Sequence, residues 1–385
     1  MTASSGAAMT GARESAAAEL LDVGTERGAR AALAHLVEAG DPTLAALLEV
    51  HAAPEVLDRV LSDRSPQFGA ARHRATRVDV TAAVGYAVRQ GMSVLIPGDP
   101  QWPEGFTDLP EPPMCLWVHG PLELSRLRWA GVSIVGSRAA TAYGRDIATS
   151  LAAGLGERGY AVVSGAAFGI DAAAHRGALA AARGGTVAVL AGGVDRPYPT
   201  AHASLLARLR EEGAIVSESP PGWAPQRHRF LLRNRLIAAL TLGTVVVEAG
   251  LRSGSLNTAR HAAAIGRPVG VVPGPVTSML SAGCHQAVRD GVAMLVTDVA
   301  EVVDLVGRIG DDAAARPSAP VTAQDRLSEG DQLVWAALPI RAATSIDALA
   351  FATGLAPGAL LAALVRIELA GLAIRVGSDW KRARG

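Results

Sequence analysis

Apolar positions follow two different rhythms along this chain. From about Glu26 to Met92 they recur at helical spacing, over Ala31 to Glu38 and Leu44 to Val50, with further helices over Pro54 to Leu61 and Asp79 to Gln90. Asp41-Pro42 fits an N-cap followed by a first-turn proline. Between these segments Ser62 to Arg77 is arginine-rich and irregular. From Val132 the rhythm changes to short apolar runs alternating with Ala-rich amphipathic stretches. The runs are Val132–Val135, Ala161–Val163, Thr186–Leu190, Ile215–Val216, Thr244–Val247 and Val269–Val272, each bounded by glycine or a turn residue. Strands this apolar are buried on both faces, as in a parallel sheet covered by helices. The pattern predicts a doubly wound α/β domain over 92–306, preceded by a small helical domain over 26–91. The first 25 residues, poor in large apolar side chains, are expected to form a disordered tail. Residues 307–324, with Asp311, Asp312, Pro317 and Pro320, read as a linker. In 325–385, helices at Leu333–Leu338, Ile346–Phe351 and Leu360–Leu369 precede a wing at Leu372–Val376, the outline of a winged helix.

Composition narrows the class. Hydrophobic residues make up 49% of 385 and charged residues 19%, enough apolar content for a sizeable core. No apolar run reaches membrane-spanning length and no secretory h-region opens the chain, so a cytoplasmic protein is expected. Cys115 and Cys284 do not make a disulfide framework. Lys381 is the only lysine, which excludes a P-loop or Schiff-base lysine upstream of it. The formal net charge is zero, yet Arg227 to Arg235 holds four arginines, His228 and no acid. A polyanion fits such a patch, and the arginines fall at the start of a helix, where free N–H groups also favour phosphate. A solvated loop, or pairing of Arg233 and Arg235 with distant acids, fits the same residues.

In an open α/β sheet ligands bind beyond the carboxyl ends of the strands. The loops there are Gly136-Ser137-Arg138, Ser164 to Gly169, Gly192 to Asp195, Ser217-Glu218 and Glu248 to Ser255, small and polar enough for close approach to a phosphate. The dinucleotide GxGxxG and the P-loop motif are both missing, as are HExxH and paired CxxC, so no metal site is expected. Asp171 reads as a helix cap and His175 as bonded to a loop. Glu218 and Glu248 read either as a general base or as ties between loops. Phe230 reads either as a base-stacking platform or as a core aromatic.

The ordered set of these loops resembles the DprA/Smf family of DNA-processing proteins. The matching residues are Ile134 to Arg138, Val163 to Asp171 with His175, Leu190 to Asp195 with Tyr198-Pro199, and Ser217-Glu218. Phe230 to Ala238, Val247 to Ala249 with Ser253 to Ala259, and Pro273-Gly274-Pro275 with Gly283 and Gly291 complete the set, which spans about Leu95 to Val303. The resemblance implies a Rossmann-like, mostly parallel sheet, a SAM or helix-hairpin-helix-like N-terminal domain and a C-terminal winged helix. It implies binding of single-stranded DNA in natural transformation, loading of the recombinase RecA, a homodimer, and neither cofactor, metal nor catalytic activity. The DNA-binding residues it implies are Gly136, Ser137, Arg138, Ser164, Gly165, Phe168, Gly169, Arg227, Phe230, Arg233, Asn234, Arg235, Ser253, Gly254 and Ser255. Thr200 stands where relatives often carry lysine, and Asn257 replaces a usual apolar residue.

The presumed recognition helix of the winged domain, Pro357 to Ala370, is apolar apart from Arg366 and Glu368, which balance in charge. A major-groove reader needs several side chains that reach base edges, so a packing or protein-contact module is expected. One competing reading is a nucleotide-processing enzyme of the lysine-decarboxylase-like phosphoribohydrolase type. Arg252 to Thr258 lacks that family's Pro-Gly-Gly-x-Gly-Thr pattern and has no following glutamate in its helix. The other is a duplex-DNA regulator, against which the neutral recognition helix counts.

Overall fold

The structure, a computed structural model, describes residues 18–307 and 322–383. They form two compact units, one within residues 18–307 and the other within 322–383. The expected linker lies outside the described residues over 308–321, as does the expected tail up to residue 17. Residues 18–21 are helical and Leu20 is buried, so the tail does not reach them.

The first unit opens with α1 (Glu26–Leu36), α2 (Pro42–Val50), α3 (Ala53–Ser62), α4 (Gly69–Ala75) and α5 (Val80–Arg89). Asp41 caps α2 as expected, accepting from the Leu44 N–H at 2.9 Å. The stretch read as irregular contains α4; Arg72 donates to the Ser65 carbonyl before it, and Arg74 to the Leu36 carbonyl at the end of α1. These helices do not form a separate unit: Leu33, Leu36, Val56 and Val60 share one core with Trp117, Ala188 and Ile215 of the sheet.

The sheet has nine strands in the order β1-β2-β6-β5-β4-β3-β7-β8-β9. They are β1 (Ser93–Leu95), β2 (Leu116–His119), β3 (Gly131–Val135), β4 (Ala161–Ser164), β5 (Thr186–Val189), β6 (Ala214–Ser217), β7 (Gly243–Val246), β8 (Val269–Val271) and β9 (Met294–Leu295). From β6 to β9 every pairing is parallel, while β1 and β2 add an antiparallel edge. Strands β3 to β7 are buried along their whole length, since both faces are covered. Helices α7 (Ala142–Glu157), α8 (Ile170–Ala180), α9 (Ala203–Glu212) and α13 (Val299–Val306) cover one face; α6 (Leu127–Ala130) leads into β3. Helices α10 (Arg227–Ala239), α11 (Gly254–Ala264) and α12 (Ala282–Arg289) cover the other. Each fully buried Val or Ile contributes about 1.5–3 kcal/mol to this sandwich. The chain runs outward from β3 through β4, β5 and β6, then returns to place β7 on β3's other side. That reversal opens a crevice at the carboxyl ends of β3, β4 and β7.

The second unit holds α14 (Glu329–Ala337), α15 (Ile346–Thr353), α16 (Pro357–Leu369) and the hairpin β10 (Ala373–Val376) with β11 (Asp379–Arg382). Val334, Leu349, Leu360, Leu364, Ile367 and Trp380 fill its core. Arg366 is balanced by Asp331 on α14 at 2.7 Å rather than by Glu368 on its own helix.

Candidate nucleic-acid interface

The crevice at the reversal is an open cleft of about 780 Å³. Three structural features build its walls. The loop after β3 brings Gly136, Ser137 and Arg138; α10 brings Arg227, Phe230, Arg233 and Asn234; the start of α11 brings Arg252, Ser253, Gly254 and Ser255. Helix α10 begins at Arg227 with no side chain capping it, so its first N–H groups stay open to a ligand. Ser253 caps α11 by accepting from the Ser255 N–H. Both helix dipoles add positive potential at the cleft.

Arg138 is exposed and lies over the Phe230 ring at 5.0 Å, while Tyr198 meets the same ring at 5.7 Å. Arg138, Arg227 and Arg252 are exposed and form no ion pair among the described residues. The fourth cleft arginine, Arg233, is buried in the floor. Its Nη1 donates to the Gly165 carbonyl at 2.9 Å and to the Val189 carbonyl, and its Nε has no partner. A side chain at Gly165 would meet this guanidinium at 2.3 Å, which explains the glycine. Burial pulls the Arg233 pKa down to about 10, against the opposing charge of Asp171. Asp171 is the one carboxylate in the lining; burial raises its pKa, and Arg233 with the Ala167 and Gly165 N–H groups lowers it. It sits in the first turn of α8 and ties the preceding loop, while the α8 N-cap is Gly169. Gly169 has φ 76°, and a Cβ there would lie 2.2 Å from the Ser137 carbonyl oxygen.

Other expected contacts are placed elsewhere. The Ser164 hydroxyl is buried and donates to the Ile134 carbonyl at 2.6 Å. Phe168 is exposed but packs edge-on against His202 at 4.8 Å, outside the cleft lining. Arg235 points away from the cleft into the protein, where Nη2 holds both oxygens of Glu218 at 2.8 Å. Arg229 pairs with Glu38 at 2.9 Å. The arginine cluster is therefore half compensated, by acids 17 and 191 residues away in sequence. Asn234 donates to the Gly254 carbonyl and to Asn257 Oδ1, so Asn257 helps lock α10 to α11. Glu248 accepts from Thr141 N at 2.9 Å and Thr141 Oγ1 at 2.6 Å, a tie between loops rather than a free base. His175 Nδ1 pairs with Thr186 Oγ1 on β5 at 2.7 Å, a strand and not a loop. Sequence reasoning missed Arg252 and Tyr198 as cleft residues; their signal was position beside Ser253-Gly254 and next to Pro199.

Among the described residues no cluster of His, Cys, Asp or Glu could hold a metal ion, and no single helix is long and apolar enough to cross a membrane. Cys115 and Cys284 are buried free thiols, pushed by burial to about 12 and about 11.

Residues 93–307 match the family described as DNA recombination-mediator protein A, and residues 316–377 match the DprA winged helix domain. A Mycobacterium tuberculosis protein assigned as DNA processing protein DprA is 45% identical over 372 residues, which cover 92% of this chain and 94% of that protein. The protein Smf of Escherichia coli is 40% identical over 212 residues, 54% of this chain and 56% of its own. The structure of DNA processing protein A from Streptococcus pneumoniae superposes with a TM-score of 0.62 at 30% identity, covering 74% of this chain and 98% of that one. The protein from Helicobacter pylori, whose structure is described for its single-stranded DNA binding mode, gives 0.50 at 29% identity over 55% of this chain and 94% of that one. Through both domain matches and these relatives, the chain belongs to the DprA/Smf family of DNA-processing proteins.

Proposed function

We propose that the cleft binds single-stranded DNA through its phosphates, with Phe230 stacking under a base. The observation that carries this reading is the Arg138 guanidinium over Phe230, in a cleft lined by four arginines and one carboxylate. Exposed guanidinium groups and open helix N–H groups suit phosphate. A half-buried aromatic ring suits an unstacked base, and a duplex keeps its bases stacked. The Helicobacter pylori relative, with its described single-stranded DNA binding mode, supports the same substrate. Beyond binding, the family resemblance supports a cytoplasmic homodimer that protects incoming strands during natural transformation and hands them to RecA.

A nucleotide-processing enzyme fits the cleft less well. Both Glu248 oxygens are engaged by Thr141, and Asp171 is held by two backbone N–H groups. The winged helix fits duplex reading poorly, because Arg366 on α16 is committed to Asp331. A titration with single-stranded and duplex oligonucleotides, run beside a nucleotide hydrolysis assay, tests all three readings. The expected result is tight, salt-sensitive binding of single strands without hydrolysis. A preference for duplex, or turnover of a nucleotide, would overturn the proposal.

A further inference from the structure

The arginine-rich stretch before and within α4 is a second basic run that the cleft leaves unused. Arg64 to Val78 holds Arg64, Arg72, Arg74, Arg77 and His73 and no acid. Arg64, His73 and Arg77 are exposed and form no ion pair among the described residues. Arg72 donates to the carbonyls of Asp63 and Ser65, and the nearby Asp63 carboxylate compensates its charge in part without a direct ion pair.

Arg74 connects this run to the cleft. Its Nη1 donates to the Leu36 carbonyl at 2.9 Å, its Nη2 lies 3.2 Å from Glu38, and its guanidinium sits 5.4 Å from the centre of the Trp223 ring. Arg229 reaches the same ring at 4.2 Å and the same carboxylate at 2.9 Å. His228 approaches Glu38 at 3.4 Å, and its neighbour Arg227 lines the cleft. A continuous set of cations therefore turns around Trp223 and Glu38, from the cleft mouth to α4. Glu38 is shared by two arginines, Arg74 and Arg229, so the group remains net positive. Gln67 is the one amide side chain from Arg64 to Val78, too little to read base edges, so the surface offers charge without sequence selectivity.

We propose that α4 and the turns on either side of it form a second phosphate-binding surface, which takes a single strand after it leaves the cleft past Arg227. This inference rests on the single-strand reading of the cleft. The cleft fixes one short stretch, and the N-terminal helices lengthen the path.

The test uses the full-length protein carrying Arg64→Ala and Arg77→Ala together. Both side chains are exposed and without an ion pair among the described residues, so the melting temperature should not move. Affinity is measured across a salt series for an oligothymidylate of about 6 nucleotides, which fills little beyond the cleft, and for one of about 30. The short strand should bind as before. The long strand should bind more weakly, with a log–log salt slope shallower by about 1.4, or 0.7 for each lost contact. Unchanged affinity and slope for the long strand would overturn the proposal, and so would equal losses for both lengths. Arg138→Ala, measured in parallel on the short strand, reports on the cleft alone, so failure of the cleft reading is seen separately.

Discussion

Replacing Phe230 by alanine separates stacking from charge. The ring is half-buried, with Arg138 above it at 5.0 Å and Tyr198 beside it at 5.7 Å and 55°. A base stacked on such a ring is worth about 1–3 kcal/mol. At about 1.4 kcal/mol for each factor of ten, the alanine variant should bind single strands roughly 5 to 150 times more weakly. Its salt slope should stay unchanged, because no charge is lost. Phe230→Tyr should bind nearly as the parent does, since the ring face is kept. The Arg138 contact adds a second signature. Removing the ring also frees this guanidinium, so a cycle with Arg138→Ala should show coupling of about 0.5–1 kcal/mol. Arg138→Ala alone should flatten the slope by about 0.7. Fluorescence anisotropy across a salt series, with melting temperatures for every variant, supplies all of these quantities. Unchanged affinity in a folded Phe230→Ala protein would rule out stacking on this ring. An affinity loss that only follows falling melting temperature would instead mark Phe230 as a core residue.

Arg235→Ala leaves Glu218 buried without its partner and should cost about 3–5 kcal/mol in urea unfolding, with the DNA salt slope of the folded protein unchanged. Burial already raises the Glu218 pKa, so the deficit should shrink as the pH is lowered and the carboxyl takes up a proton. Glu38→Gln releases Arg229, Arg74 and His228 from a shared carboxylate, and the salt slope for long single strands should steepen. His175 is pushed by burial from 6.5 to about 3. The unfolded chain therefore binds the extra proton between those values, and this residue's contribution to stability is complete above 6.5 and lost as the pH falls toward 3. His175→Asn keeps a hydrogen-bonding atom near the Nδ1 position facing Thr186 and cannot charge. Its urea midpoint should lie below the parent's near neutrality and fall less steeply on acidification; an equal fall would contradict the assignment. Asp171 and Glu218, both shifted upward by burial, act in the opposite sense in parent and variant alike. Truncation before Asp325 should leave binding of short single strands intact, checked by the same anisotropy titration.

The parallel strands β3 to β8 were legible because burial on both faces makes them almost wholly apolar, as in Val132–Val135 and Val269–Val271. Strands β1, β2 and β9 were not: they are two to four residues long, and β1 and β2 flank the Pro-rich stretch after Ile96. Strand-end loops marked Gly136 to Arg138 and Ser253 to Ser255, since the sheet's polarity alone brings them to one rim. The split within the arginine cluster was hidden. Arg229 and Arg235 differ from Arg227 only in the helical face they occupy, and their partners Glu38 and Glu218 come close only through the fold. The arginine-rich stretch around α4 lacked a clean helical period, because Arg72 and Arg74 turn inward to cap carbonyls.

If free arginines at the carboxyl ends of the strands hold a single strand by its phosphates, removing two of them must change its salt dependence. The most direct measurement is the salt dependence of single-strand binding by the full-length Arg138→Ala, Arg227→Ala double variant. Both side chains are exposed and line the cleft, so the protein should stay folded. Binding should weaken and the slope become shallower by about 1.4, equally for every sequence tested. Parent-like affinity and slope in the folded variant would place the DNA on another surface.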